Sequence, residues 1–390
     1  MRALDIFAGP TARAHLAQHG LLPQHIRTIP AAAGGPKGLI LGPLDRYLFG
    51  HWLPQSNQHV DLVGASIGAW RMAAACLNQP QQALARLERD YIGQHYALQP
   101  GEKRPAPARV SALFGHNLQA FYGGRVQEVL QHPRYRLHVL TSRGRGPLRR
   151  ERVGLTLAAY LAAFASNLVS RQALGVWLQR VVFSSPQGGG VAAANLPFDP
   201  RDYSTQQVTL TEANFYDALQ ASCSIPFVLQ SVNDIAGAPA GAYWDGGVTD
   251  YHLHLNYAAN QAAAFSVATS PLFKRAESQR TLRSGATAGN LVLYPHFQRS
   301  VVPGWLDKHL HWRHGASPFL DNMLLLAPNP EWVKTLPNGK LPDRGDFTHY
   351  GEDINARMRV WHQATAAAEQ LAQEFDAWLA KPDLGLVHRL

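Results

Sequence analysis

Cysteine is nearly absent: Cys76 and Cys223 are the only two among 390 residues. Two cysteines cannot frame a disulfide-stapled fold, and a chain this long can bury a large apolar core without one. Their scarcity fits a reducing compartment. Long apolar runs are missing too, for no stretch reaches the roughly 18 apolar residues of a membrane span. Asp5 and the breakers Gly9-Pro10 stand where a secretory leader would carry its apolar core. The expected location is cytoplasmic, with membrane contact confined to the surface, at the inner face. Acid is the minority charge: 36 Lys+Arg against 27 Asp+Glu give a net +9. A basic balance admits nucleic acid, anionic lipid or an acidic ligand as partner. Zinc-finger spacings, basic heptads and RRM signatures are all missing, so no nucleic-acid partner is expected. His252 and His254 come nearest to a metal motif, but spacing places no third ligand, so no metal and no cofactor are expected. Two histidines on a solvated strand face is the simpler reading of that pair. Hydrophobic residues make up 46% and charged ones 16%, which marks the chain as globular rather than disordered.

What is present centres on Val60-Asp61-Leu62-Val63-Gly64-Ala65-Ser66-Ile67-Gly68. An apolar run enters Gly-x-Ser-x-Gly, and a helical pattern follows to about Leu77. Strand, sharp turn, helix is the setting in which such a serine becomes a nucleophile. Gly64 and Gly68 flank the turn, and the helix N-terminus favours a developing anion there. The alternative is that Ser66 is an ordinary helix cap.

A second unit of the same kind precedes it. Thr28 to Ala33 is extended, Gly34-Gly35-Pro36-Lys37-Gly38 is a glycine loop, and Leu39 to Phe49 is helical. Two such units in a row predict an α/β fold with a mostly parallel central sheet flanked by helices. Backbone N–H groups of Gly35, Lys37 and Gly38 could hold an oxyanion, whereas Pro36 has none to offer. A nucleotide-binding loop is the rival, but it needs Gly-Lys-Ser/Thr and this chain has Pro-Lys-Gly.

Further strands are predicted at 135–142, 181–184, 207–210, 264–268, 291–294 and 322–326. Residues 155–178 read as one or two helices with no charge before Arg171, so part of them is buried or faces a partner. Seven arginines between 134 and 152 read as a solvated strand end plus a loop. The alternative is a patch facing anionic headgroups. Residues 304–315 mix Trp with Lys, Arg and His. They fit either a surface segment with core-facing Trp or an interfacial lid. From about Pro271 the composition shifts, and the chain is divided into 1–275, an α/β catalytic unit, and 276–390, a mixed extension packed on it. The extension ends in a long amphipathic helix over 353–381, its stripe running Ile354, Met358, Trp361, Ala364, Ala368, Leu371, Phe375, Leu379.

A serine nucleophile needs a proton acceptor. None of the 18 histidines sits in a recognisable catalytic context after Ser66. Asp245 follows Tyr243-Trp244 and precedes Gly246-Gly247. A partly desolvated carboxylate ending a strand would be a competent base, although Asp-Gly-Gly is also a common turn.

In this order the pieces resemble the patatin-like phospholipases. Gly34-Gly35-Pro36-Lys37-Gly38 resembles that family's oxyanion loop, and Gly64-Ala65-Ser66-Ile67-Gly68 its nucleophile elbow. Ala221-Ser222-Cys223-Ser224-Ile225-Pro226-Phe227 is similar to the segment before its last motif, and Asp245-Gly246-Gly247 to that motif itself. The resemblance covers about residues 28–270. It implies a Ser66–Asp245 dyad without His or metal, an oxyanion hole at Gly34, Gly35, Lys37 and Gly38, and hydrolysis of lipid acyl esters through an acyl-enzyme. The turn past Gly247 departs from the family's Asn and Pro, reading Val248-Thr249-Asp250-Tyr251-His252, which touches the pocket wall. An acyltransferase on the same dyad, or a non-catalytic lipid- or protein-binding module on the same fold, are the alternatives.

Overall fold

Leu4-Asp5-Ile6-Phe7-Ala8 is short, largely apolar and stopped by Gly9-Pro10. It forms the first strand, β1 (Leu4–Ala8), buried along its whole length. The structure, a computed structural model, describes residues 1–102, 104–152, 154–187, 190, 192–259 and 289–390. β2 (Ile26–Ala31), β3 (Val60–Ala65), β4 (Tyr135–Gly144), β5 (Leu178–Ser184) and β6 (Thr205–Thr209) follow. The later strands are β7 (Val232–Asn233), β8 (Ala242–Asp245), β9 (Leu291–Pro295), β10 (Met323–Pro328) and β11 (Val387–Arg389). All eleven join one sheet, whose main path runs β11-β1-β10-β9-β2-β3-β4-β5-β6. The run β10-β9-β2-β3-β4 is parallel throughout. Apart from Arg27, Asp61, Arg136 and Arg143, every residue of these five strands is buried, as in strands covered on both faces. Antiparallel pairs β1/β10 and β4/β5 make the sheet mixed, and helices flank it. The fold class expected from the two strand–loop–helix units is the one observed.

One strand organises the site. β4 is ten residues long. β5 occupies one edge, and two strands share the other. Parallel β3 runs up that edge and stops at Ala65, opposite Leu140. Antiparallel β8 comes down the same edge and stops at Asp245, opposite Thr141. Adjacent residues of β4 therefore set two strand tips end to end.

Buried ion pairs tie the neighbouring pieces together. Arg71, on the helix Ile67–Ala75, forks onto Asp45 of the helix Gly42–Tyr47 at 2.7 and 2.9 Å. Arg180 of β5 grips Asp250 at 2.7 and 2.8 Å and also reaches Asp202. That anchors the short helix Gly247–Asp250 directly after Asp245.

The last third of the chain is interior to the sheet rather than appended to it. β9 and β10 lie between β1 and β2, and β11 closes on β1, so strands from both ends of the chain share one sheet. The long C-terminal helix runs as two consecutive segments, Ile354–Ala367 and Glu369–Ala380, that meet at Ala368. Trp361, Ala364, Ala368, Leu371 and Phe375 of the predicted stripe are buried. Residues 155–178 are helical only over Leu155–Val169. A 3₁₀ turn follows, and Leu178 already opens β5, because the β-branched run behind it pairs with β4. The predicted strand at 264–268 lies outside the described residues. The arginine cluster is mostly internal bracing. Arg134, Arg143 and Arg145 donate to backbone carbonyls of Leu53, Ala240 and Gly175, while Arg136 and Arg150 sit beside Asp61 and Asp234. Among the described residues, the Arg149 and Arg152 side chains have no such partner.

Candidate active site

Ser66 is the residue between β3 and the helix Ile67–Ala75, and its backbone is forced. It sits at φ 57°, ψ −131°, a region that non-glycine residues occupy at a cost of order 1–3 kcal/mol. Its neighbours explain the tightness. A Cβ on Gly64 would strike the Ala69 backbone, and one on Gly68 would strike the Ala31 carbonyl. Only glycines let the turn close against β2 and its own helix. A clamp holds the strained residue: the Ser66 N–H donates to Ser222 Oγ at 3.0 Å, and that hydroxyl donates to the Leu140 carbonyl at 2.7 Å. Ser222 thus links the elbow to the β4 position that sets β3's end.

Across the gap between the strand tips, Ser66 Oγ donates to Asp245 Oδ2 at 2.6 Å, bridging 179 residues of sequence. The other carboxylate oxygen accepts the Gly247 N–H at 2.7 Å. The Asp245 carbonyl accepts from Ser142 Oγ at 2.9 Å, and its N–H donates to the Ser224 carbonyl. Every hydrogen-bonding group of Asp245 is therefore fixed. Both side chains are buried, Ser66 at 4% and Asp245 at 5% exposure. Burial pushes the Asp245 carboxyl up to about 6, against the opposing pull of the Ser66 hydroxyl, the Gly247 N–H and the Arg344 guanidinium.

The dyad lies at the base of a cavity of about 330 Å³ lined by Ala33, Gly34, Lys37, Ile225, Pro226, Val248, Tyr251, Trp305, Lys308 and Arg344, among others. Among the described residues, no histidine lines it. Of the glycine loop, Gly34 and Lys37 reach the cavity, at the start of the 3₁₀ helix Gly35–Leu41. Gly35 is buried near the Arg344 side chain instead, and Gly38 packs against Ile67. Gly247 lines the cavity; Gly246 packs against the Leu140 carbonyl beneath it. Lys37 is half-buried, with its ammonium 5.6 Å from the centre of the Phe297 ring. Burial and nearby Lys308 hold its pKa below the usual lysine range. Lys37, Lys308 and Arg344 have no ion-pair partner among the described residues, while Asp343 at the same rim is taken by Lys340. The cavity wall is therefore cationic.

His252 and His254 do not occupy a solvated strand face. They follow the helix Gly247–Asp250 in a loop, and their rings face inward. His252 takes the Val302 N–H at 3.1 Å; His254 contacts the Val301 carbonyl and Ser317 Oγ. Burial holds both well below the ordinary histidine range. No group of metal-ligating side chains exists among the described residues. The two tryptophans at 305 and 312 are not core-facing: Trp305 is 39% and Trp312 73% exposed, while Asp307 between them is buried on Asn167, Arg171 and Arg313.

Sequence reasoning missed Ser222 as a clamp, and Trp305, Lys308 and Arg344 as cavity walls. Ser222 stood inside a quoted motif and could have been found there. The other three come from a region without motifs, and only the sheet order brings them to the site. No protein-family model and no curated protein matches the chain.

Proposed function

We propose that the chain is a serine acyl hydrolase of patatin type, acting on acyl esters whose leaving portion carries an anionic group, as a phospholipid does. The hydrogen bond from Ser66 Oγ to Asp245 at 2.6 Å, made from a strained strand-to-helix turn, is the observation that carries it. Asp245 takes the Ser66 proton as Oγ attacks the ester carbonyl. The tetrahedral oxyanion is met by N–H groups at the start of the glycine-loop helix, which lack partners inside that helix. Protonated Asp245 then gives its proton to the leaving alcohol, and an acyl-Ser66 remains. Water attacks the acyl carbonyl as Asp245 takes its proton; the bond from the acyl carbon to Ser66 Oγ then breaks, Asp245 returns the proton to Oγ, and the acid is released. Lys37, Lys308 and Arg344 support the anionic preference, since they line the wall and form no ion pair among the described residues.

Ser66→Ala and Asp245→Asn are each expected to abolish hydrolysis of a chromogenic acyl ester, with the circular dichroism spectrum unchanged. A fluorophosphonate probe is expected to label wild type at Ser66. Unchanged turnover in either variant defeats the dyad, and a folded wild type that resists the probe points to a binding module.

A further inference from the structure

The helix Leu155–Val169 turns an apolar face to solvent. Every exposed residue on it is apolar: Leu155, Leu157, Ala158, Leu161, Ala165, Leu168 and Val169. Leu161 is 62% and Val169 85% exposed. Its few polar side chains point the other way, with Thr156 and Asn167 buried. A surface helix of this size normally carries charge on its outer face. Here the inner face alone explains the fold: Ala159, Tyr160 and Ala163 pack with Val248, a wall of the Ser66 cavity.

The apolar face continues to the cavity mouth on two sides. Tyr160 meets Phe227 edge-on at 5.8 Å, and exposed Phe227 and Val228 directly follow the cavity residues Ile225 and Pro226. On the other side, Asn167 and the Leu168 carbonyl are bonded to Asp307 and Arg313, which flank Lys308 and exposed Trp312. Charge at the margins is cationic. Arg149 and Arg152 precede the helix and Lys308 lies beyond it, each exposed and without an ion pair among the described residues; Asp234, within electrostatic reach of Arg149, is bonded to Arg150. The nearby Glu151 carboxylate is turned onto Ser231.

We propose that this face seats the protein on an anionic lipid surface, with the leucines in the acyl boundary and the arginines at the phosphates, so that the Ser66 cavity opens onto the bilayer. An apolar stripe edged by indole and unpaired cations matches the layered chemistry of a headgroup boundary. Docking stands on the surface itself; its bearing on turnover rests on the hydrolase proposal.

The test is flotation of the full chain with vesicles of equal parts phosphatidylglycerol and phosphatidylcholine, beside pure phosphatidylcholine. Wild type is expected to float with the anionic vesicles and far less with the neutral ones. Leu157→Glu with Leu161→Glu is expected to lower that binding about tenfold or more, leaving the melting temperature and turnover of a short soluble ester unchanged. Arg149→Gln with Arg152→Gln is expected to lower it roughly tenfold, and added salt to act likewise. Wild type that stays in solution with both vesicles overturns the proposal, as does a leucine variant that floats like wild type. Loss of a dimer in that variant, without vesicle binding by wild type, assigns the face to a second copy and overturns it too. Vesicle binding lost in the leucine variant, with no ester turnover by any form, upholds docking and refutes the hydrolase.

Discussion

To act as the proposed base, Asp245 must ionise where burial disfavours charge. Its carboxyl is held at about 6, so kcat/KM for a soluble ester is expected to drop about tenfold per pH unit below that value. A pH–rate profile that stays flat well below 6 removes Asp245 as the base. Stability runs the other way. Between the ordinary 3.8 and about 6 the folded state holds a proton that the unfolded state has lost, so stability falls as pH rises through that window. Asp245→Asn escapes this penalty. It is expected to be more stable than wild type above pH 6 by up to about 3 kcal/mol, with the gap closing in acid, as urea melts at two pH values would show. Ser222 bears on the same turn. Ser222→Ala strips partners from the Ser66 N–H and the Leu140 carbonyl, both buried. A loss of roughly 1–3 kcal/mol for each orphaned group and a fall in kcat are expected, from denaturant melts and steady-state kinetics.

At the scale of elements, local pattern was readable and its surroundings were not. The strand–glycine–helix units at residues 28–49 and 60–77, the strands 135–142 and 181–184 and the C-terminal stripe all follow from periodicity and breakers, and all form. Residues 155–169 show where that stops. An uncharged helical stretch has the same pattern whether its outer leucines are covered or bare, because exposure depends on neighbours remote in sequence. His252 and His254 failed likewise: alternation suggested a strand, but the segment packs as a loop against residues 300–317. The Arg71–Asp45 pair was equally invisible, since each residue alone reads as an ordinary helix charge. It joins the elbow helix to the helix after the glycine loop. Arg71→Met strands a buried carboxylate and is expected to cost about 3–5 kcal/mol in denaturant melts, whereas Asp45→Leu combined with it recovers most of the loss.

At the scale of the whole molecule, the sheet order was the part no motif announced. Ser66, the glycine loop and Asp245 could be picked from sequence because turn chemistry marks them as candidates and their order resembles that of one family. That β3 and β8 would meet on one edge of β4 could not, because register is a property of strands far apart in the chain. The C-terminal third showed no motif, yet it supplies β9 and β10 to the middle of the sheet and Trp305, Lys308 and Arg344 to the cavity. Its final residues matter too. β11 pairs with β1, which is buried and mostly apolar. Deleting residues 383–390 bares that edge, and the truncated protein is expected to aggregate in light scattering at concentrations where the full chain does not.

The end-to-end meeting of β3 and β8 carries one more consequence. A cut between Gly123 and Gly124, in an exposed turn before β4, leaves Ser66 on one fragment and Asp245 on the other. Neither fragment owns a proton-transfer pair. Turnover by the mixed fragments would return only as β4 draws both tips together, which would make ester cleavage a built-in gauge of chain assembly.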